Sequence, residues 1–223
     1  MTLSTGRNFL HTPGPTNIPD RVLRAMAQPA VDFSTPEFLA MLETIFADLK
    51  RVFRTEAGDV IIYASNGHGA WEAALVNVLS PGDHVLVPGV GHFSVNWAEM
   101  AEAFGIVVET LPGDWRHGVD PAAVAAHLKA DTDHKIKAVL TVHIDTATSL
   151  ICDLPSIRKA IDDAGHPALF MVDTVAALGT VDFRMDEWGI DVAVGGSQKG
   201  LMQPPGLAFN AVSQKALDAS DNA

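Results

Sequence analysis

Lys199 stands in the run Val192-Ala193-Val194-Gly195-Gly196-Ser197-Gln198-Lys199-Gly200, where a short apolar strand breaks into glycines and delivers one amine to a Gly/Pro-rich turn. An amine held where a strand leaves the core is partly desolvated, which lowers its pKa and frees its lone pair for attack on a carbonyl. Most loop lysines are simply solvated, so the companions upstream decide. Asp173 ends the apolar run Leu169-Phe170-Met171-Val172. A carboxylate there needs an N–H or cationic partner, found either in a helix that it caps or in a ligand. Asn66-Gly67-His68-Gly69 lies between a strand and a helix. The N–H groups of such a turn attract anions. It also reads as an ordinary capped turn, for it lacks the third glycine of a dinucleotide fingerprint and no Walker lysine follows. Phe93, after His92, either packs in the core or stacks on a planar ring. Thr146 belongs to His143-Ile144-Asp145-Thr146-Ala147-Thr148-Ser149, a cluster that offers hydroxyls and an acid to a ligand or makes only a polar turn.

The elements that position these residues follow from the apolar pattern. From Asp59 onward, short apolar runs alternate with helical periodicity. Strands are predicted at 60–64, 84–87, 106–110, 138–142, 168–172, 192–194 and 207–211. Helices are predicted near 70–79, 95–104, 121–129 and 154–164, with a further helical start at Gln214. Upstream, one helix follows Pro19-Asp20 and another begins near Thr35-Pro36-Glu37, with Phe38, Leu42, Ile45, Leu49 and Phe53 at three- and four-residue spacing. This alternation, with strands apolar on both faces, predicts an α/β fold: a mostly parallel seven-stranded sheet flanked by helices. The last two runs are joined too tightly for a helical crossover, so part of the sheet is expected to be antiparallel. Ligands of open α/β sheets collect at the carboxyl ends of the strands, where the candidate residues fall.

Composition narrows the partners. The chain has 223 residues, 48% hydrophobic, enough for a sizeable core. A formal charge of −12 argues against nucleic acid and anionic membrane surfaces. One cysteine, Cys152, fits a reducing, cytoplasmic setting and reads as a small buried hydrophobe. No apolar stretch reaches the roughly 20 residues of a membrane span, and the first residues carry no apolar secretory core. The histidines show no metal-binding spacing, so no metal is expected.

A phosphate cradle, a ring-stacking aromatic, a carboxylate and an amine at the strand ends of one sheet match pyridoxal phosphate. Its aldehyde takes a lysine as a Schiff base, its pyridine nitrogen a carboxylate that keeps it protonated, and its phosphate a helix N-terminus. With these residues the chain resembles the class V aminotransferases of fold type I, within them the serine–glyoxylate and alanine–glyoxylate aminotransferase group. The resemblance covers nearly the whole chain. It is carried by Pro13-Gly14-Pro15-Thr16, Gly69-Ala70-Trp71-Glu72-Ala73-Ala74-Leu75, Ser80-Pro81-Gly82-Asp83, Val172-Asp173-Thr174-Val175-Ala176 and Gly196-Ser197-Gln198-Lys199-Gly200. The opening Gly6-Arg7-Asn8-Phe9-Leu10 and the run Gln198 to Gly206 are most like the bacterial serine–glyoxylate branch.

The resemblance implies transamination of a small amino acid, serine or alanine, with glyoxylate as acceptor. It implies that Lys199 binds the cofactor and shuttles a proton, and that Asp173 pairs with the pyridine nitrogen. Phe93 stacks on one ring face and Val175 packs on the other. Asn66, Gly67, His68 and Gln198 contact the phosphate, Thr146 lies near the cofactor, and Pro15 and Thr16 lie where substrate approaches. It further implies an extended segment over residues 1–20, a cofactor-binding large domain over 21–223, a truncated C-terminal end lacking the small domain and its carboxylate-binding arginine, and a homodimer in the full-length form. The alternatives are another class V enzyme (a lyase, epimerase or desulfurase) or a non-catalytic cofactor-binding fragment. The group usually has His-x-Glu-Thr-Ser-Thr-Gly where this chain has Asp145 for the Glu and Ser149 for the Gly, a strained exchange if that position has positive φ. The arginine often found near residue 33 is also missing from Phe33-Ser34-Thr35-Pro36.

Overall fold

A computed structural model describes residues 9–223; Gly6, Arg7 and Asn8 of the opening motif lie outside the described residues. Two helices come first, α1 (Asp20–Met26) and α2 (Pro36–Phe53). Strands and helices then alternate: β1 (Asp59–Tyr63), α3 (Gly67–Val78), β2 (His84–Pro88), α4 (His92–Ala103), β3 (Val107–Leu111) and α5 (Pro121–Ala130). The series continues with β4 (Ile136–Val142), α6 (Leu154–Asp163), β5 (Leu169–Asp173), β6 (Val192–Gly196), β7 (Ala208–Val212) and α7 (Gln214–Ser220).

The seven strands form one sheet in the order β1-β7-β6-β5-β4-β2-β3. From β3 through β6 every pairing is parallel. β7 runs antiparallel to both β6 and β1, as the short β6–β7 connection requires. Every predicted strand is found, shifted by one or two residues at its ends.

Side chains of a strand alternate between faces. Along β5, Phe170 and Val172 enter one core while Leu169 and Met171 enter another. The first core also takes Phe53 of α2, Val124 and Leu128 of α5, and Leu154, Ile157 and Ile161 of α6. The second takes Trp71 and Leu75 of α3, Trp97 and Ala101 of α4, and Ala216 of α7. All residues of β5, β6 and β7 are buried, and each large aliphatic side chain so removed from water contributes ~1.5–3 kcal/mol. The centre of the sheet is therefore rigid, and what projects from its strand ends is held firmly.

Most helix starts follow their caps. Thr35, Asp120, Asp153 and Ser213 each accept a backbone N–H from the first turn of α2, α5, α6 and α7. α3 and α4 begin three residues earlier than predicted. Asn66 caps α3 by accepting from His68 and Gly69. At α4 the Ser94 hydroxyl accepts from Val90 and Gly91. Gly67 and Phe93 thus belong to first helical turns rather than to loops, which fixes their direction.

Candidate active site

Lys199 is set by a stapled turn. Beyond β6, the buried Ser197 hydroxyl donates to Pro204 O at 2.6 Å and Ser197 O accepts from Gln203 N at 3.0 Å. Lys199 O accepts from Met202 N at 2.9 Å. The N-terminal segment straps this turn from outside. Thr16 N donates to Gln198 O at 3.0 Å, the Thr16 hydroxyl donates to Lys199 O at 3.1 Å, and Lys199 Nζ donates to Pro13 O at 3.0 Å. Gly14 has φ 154°, and a Cβ on it would lie 2.6–2.9 Å from the Lys199 Cδ, Cε and Nζ atoms. Only glycine leaves room there. Burial pushes the Lys199 amine below its ordinary pKa, and the charge of Asp173 partly restores it.

Asp173 ends β5 and is 4% exposed. Its Oδ1 accepts from Val175 N at 2.7 Å, while the Thr174 hydroxyl donates to Val194 O at 2.7 Å and ties the strand end to β6. Burial pushes the Asp173 carboxyl up to about 7, and the charge of Asp145 adds to the effect. The Val175 N–H, the Trp71 indole and Lys199 act in the opposite direction. The buried Trp71 Nε1 makes no hydrogen bond of ordinary geometry, yet lies near enough to favour the ionised carboxyl.

The N-terminus of α3 forms a facing wall. Val175 packs so tightly on Gly67 that a Cβ there would sit 2.9 Å from Val175 Cγ2. The buried Asn210 side chain donates to Ala70 O at 3.1 Å and anchors the helix to β7. One turn beyond Gly67, Trp71 meets the Phe93 ring edge-on at 6.2 Å and stacks on Trp97 at 5.6 Å. Gln198 Oε1 is buried without a partner; with the amide turned end for end, its NH2 occupies that place.

These walls enclose a cavity of about 330 Å³, within the range of small-molecule sites. It is lined by Pro15, Asn66, Gly67, His68, Phe93, Thr146, Asp173, Val175, Gln198 and Lys199. Of the predicted site residues, Thr16 alone is not in that lining; it faces a neighbouring depression with the other side of Lys199. Sequence reasoning gave no role to Trp71, also in the lining. The signal was its position four residues after Gly67, on the same helix face. A larger depression, about 880 Å³, lies between the end of α2 and Arg184–Glu187. Its walls are largely ion-pairing side chains such as Arg51 with Asp48 and Arg184 with Glu187, more than 40% exposed, and the buried Thr55 hydroxyl there is spent on Asp186 Oδ1 at 2.6 Å.

Two further groups are placed away from reaction. Cys152 is 2% exposed and burial pushes its thiol up, the reverse of a reactive cysteine. This removes the one residue on which a desulfurase reading of the sequence rests. His143 is buried against Phe183 and Trp188, and burial lowers it to about 4. Ser149 stands at φ 61°, the left-handed conformation that glycine takes without strain. Among the described residues no group of three or more His, Cys, Asp or Glu side chains is placed to hold a metal, and no helix is long and apolar enough to cross a membrane.

A helix-flanked, mostly parallel sheet with lysine, carboxylate and helix N-terminus around one cavity is the architecture of the fold-type I enzymes. The family model for class V aminotransferases matches residues 8–222, and the chain belongs to that family. It is 46% identical over 220 residues to a serine–glyoxylate aminotransferase of Methylorubrum extorquens, covering 99% of this chain and 55% of that protein. It is 43% identical to an L-aspartate–glyoxylate aminotransferase of Paracoccus denitrificans, covering 98% of this chain and 55% of that one. Among solved structures, an alanine–glyoxylate aminotransferase of Nostoc sp. superposes with a TM-score of 0.90 at 31% identity, over 100% of this chain and 58% of its own. The chain therefore spans about half the length of the relatives it matches.

Proposed function

We propose that this chain forms the pyridoxal phosphate site of an aminotransferase that moves the amino group of serine or alanine to glyoxylate. The observation that carries the proposal is the pairing, across one cavity, of a desolvated Lys199 amine with a buried Asp173 carboxyl whose pKa lies at about 7. The donor set fits the group. The buried Gln198 Oε1 beside the cavity has no protein partner, and the N-terminus of α3 with Asn66, Gly67 and His68 suits a phosphate. Phe93 and Val175 supply apolar surface for a flat ring.

When bound, pyridoxal phosphate supplies an aldehyde for an amine and an electron sink for the charge left by a departing α-proton. This chain's residues do the rest. Lys199, with its pKa lowered by burial, would hold the aldehyde through a free amine, and the same Nζ would take and return the substrate's α-proton. Asp173, whose carboxyl burial raises to about 7, would face the ring nitrogen of the bound group and hold a proton there, its charge balanced by that of the ring. Val175 N–H fixes the carboxyl that does so.

The three relatives named above vary in amino donor, serine, aspartate or alanine, and share glyoxylate. That pattern supports glyoxylate as acceptor. A homodimer in a cytoplasmic setting belongs to the same proposal; Leu23, Met26, Phe33, Leu39 and Phe46 of the α1–α2 region are exposed apolar side chains that a partner subunit would cover. The test is glycine formation from glyoxylate by the cofactor-loaded full-length protein, with serine, alanine and aspartate as donors. Glycine with ping-pong kinetics is expected; no glycine from any small amino acid contradicts the proposal.

A further inference from the structure

We propose that Asp145 is a positioning residue, a buckle that fixes Phe93 and Thr146 relative to each other without itself lining the cavity. Asp145 is fully buried (0% exposed). Its Oδ2 accepts from Phe93 N at 2.8 Å and its Oδ1 from Ala147 N at 2.9 Å. One carboxylate thus grips the first turn of α4 and the loop after β4 at the same time. Thr146 lies between Asp145 and the gripped Ala147 in that loop. The loop is closed by Asp145 N donating to Leu150 O at 3.2 Å and Ser149 N donating to Asp145 O at 2.8 Å. A second tie runs in parallel, from the Thr148 hydroxyl to Val90 O at 3.3 Å.

The other side of the buckle is Gly91. A Cβ on Gly91 would fall 2.2–2.5 Å from the Asp145 carboxyl atoms. Its φ of 171° is extended backbone open to any residue, so the approach of Asp145, not conformation, excludes a side chain. Among the described residues no Lys, Arg or His forms an ion pair with Asp145. The carboxylate is held instead by two N–H groups and the positive end of the twelve-residue α4. This arrangement is directional. It aims Phe93 from α4 and Thr146 from the loop into one cavity, where a cation would neutralise charge without setting geometry.

What Phe93 and Thr146 would face rests on the pyridoxal phosphate reading; the buckle itself does not. Four variants separate the two, Asp145→Ala alone being the reference for the double change. Asp145→Asn keeps shape but can accept from only one of the two N–H groups. Gly91→Ala changes no polar group and pushes a methyl against the carboxylate. Asp145→Ala with Gly91→Ala removes the clash. The readouts are amide hydrogen exchange of the cofactor-free protein and its affinity for pyridoxal phosphate.

Asp145→Asn and Gly91→Ala are each expected to speed exchange at Phe93 and across 145–149 by ~10-fold or more, leaving α3 unchanged, and to weaken pyridoxal phosphate binding by a similar factor. Adding Gly91→Ala to Asp145→Ala is expected to change neither readout further. Wild-type exchange in Asp145→Asn, or faster exchange with unaltered affinity, overturns the positioning role. Local exchange changes in a protein whose wild type binds no pyridoxal phosphate support the buckle and defeat the cofactor reading instead.

Discussion

The two ends of the cavity are built on opposite electrostatic terms. At the α3 end the leading N–H groups meet a neutral cap, Asn66, and its neighbour His68 is exposed. At the β5 end the Asp173 carboxyl is buried, and the charge of Asp145 behind the cavity wall raises its pKa further. The donor end is partly satisfied before any ligand arrives, two of its N–H groups by Asn66 Oδ1, so an anion there competes with a side chain for them. The acid end is not: the empty protein bears the cost of a carboxyl that burial keeps half-protonated at neutrality. Stability is given up where the chemistry needs a proton on hand, and kept where the ligand needs only a seat.

The largest effect that would sharpen this contrast is the pH dependence of the empty protein. Folded Asp173 holds its proton up to about 7, whereas the unfolded carboxyl loses it near pH 4. Between those values the folded state binds more protons, so stability falls as pH rises, by about 4 kcal/mol at pH 8. Asp173→Asn abolishes that loss, so urea unfolding at pH 8 should find the variant more stable than wild type and at pH 4 close to it. Equal stabilities at both pH values would break the contrast.

His143 gives the opposite slope from outside the cavity. Its folded pKa is lowered to about 4 from 6.5, so the unfolded chain binds more protons between those values, and stability falls as pH falls, by about 3 kcal/mol at pH 4. His143→Leu should flatten the acid limb of the stability curve and leave the alkaline limb, set by Asp173, in place.

At the donor end, Asn66→Ala removes a neutral cap and should cost about 1 kcal/mol at every pH, a vertical shift of the curve with no change of slope. The smallest effect has the reverse sign. Ser149→Gly relieves a left-handed backbone and should gain up to about 1 kcal/mol in thermal unfolding, less the added entropy of the unfolded glycine.

The fold was legible because apolar runs such as 138–142 and 168–172 are too short for helices and apolar on both faces, which only central strands of a covered sheet require. The starts of α3 and α4 were not. Asn66 and Gly91 look like loop residues until the side chains and backbone groups they join are known. In the site, Lys199, Asp173 and Asn66 were legible because each is a polar residue at the end of an apolar run. Phe93 was legible as either a core or a ring-stacking aromatic, and Val175 was assigned only through resemblance. The contacts of Asp145 with Phe93 and of Thr16 with Lys199 join segments 52 and 183 residues apart, and no local pattern announces a pairing of that span. The glycine substitution at Ser149 was legible as a departure, and its φ of 61° gives the departure its physical meaning.

The most direct measurement is chemical trapping. The protein is mixed with pyridoxal phosphate, reduced with borohydride, digested and mapped by mass spectrometry, with Lys199→Ala alongside. A pyridoxyl group on Lys199 and none on the variant is the predicted result. A folded wild type labelled on another lysine, or on none, contradicts the site.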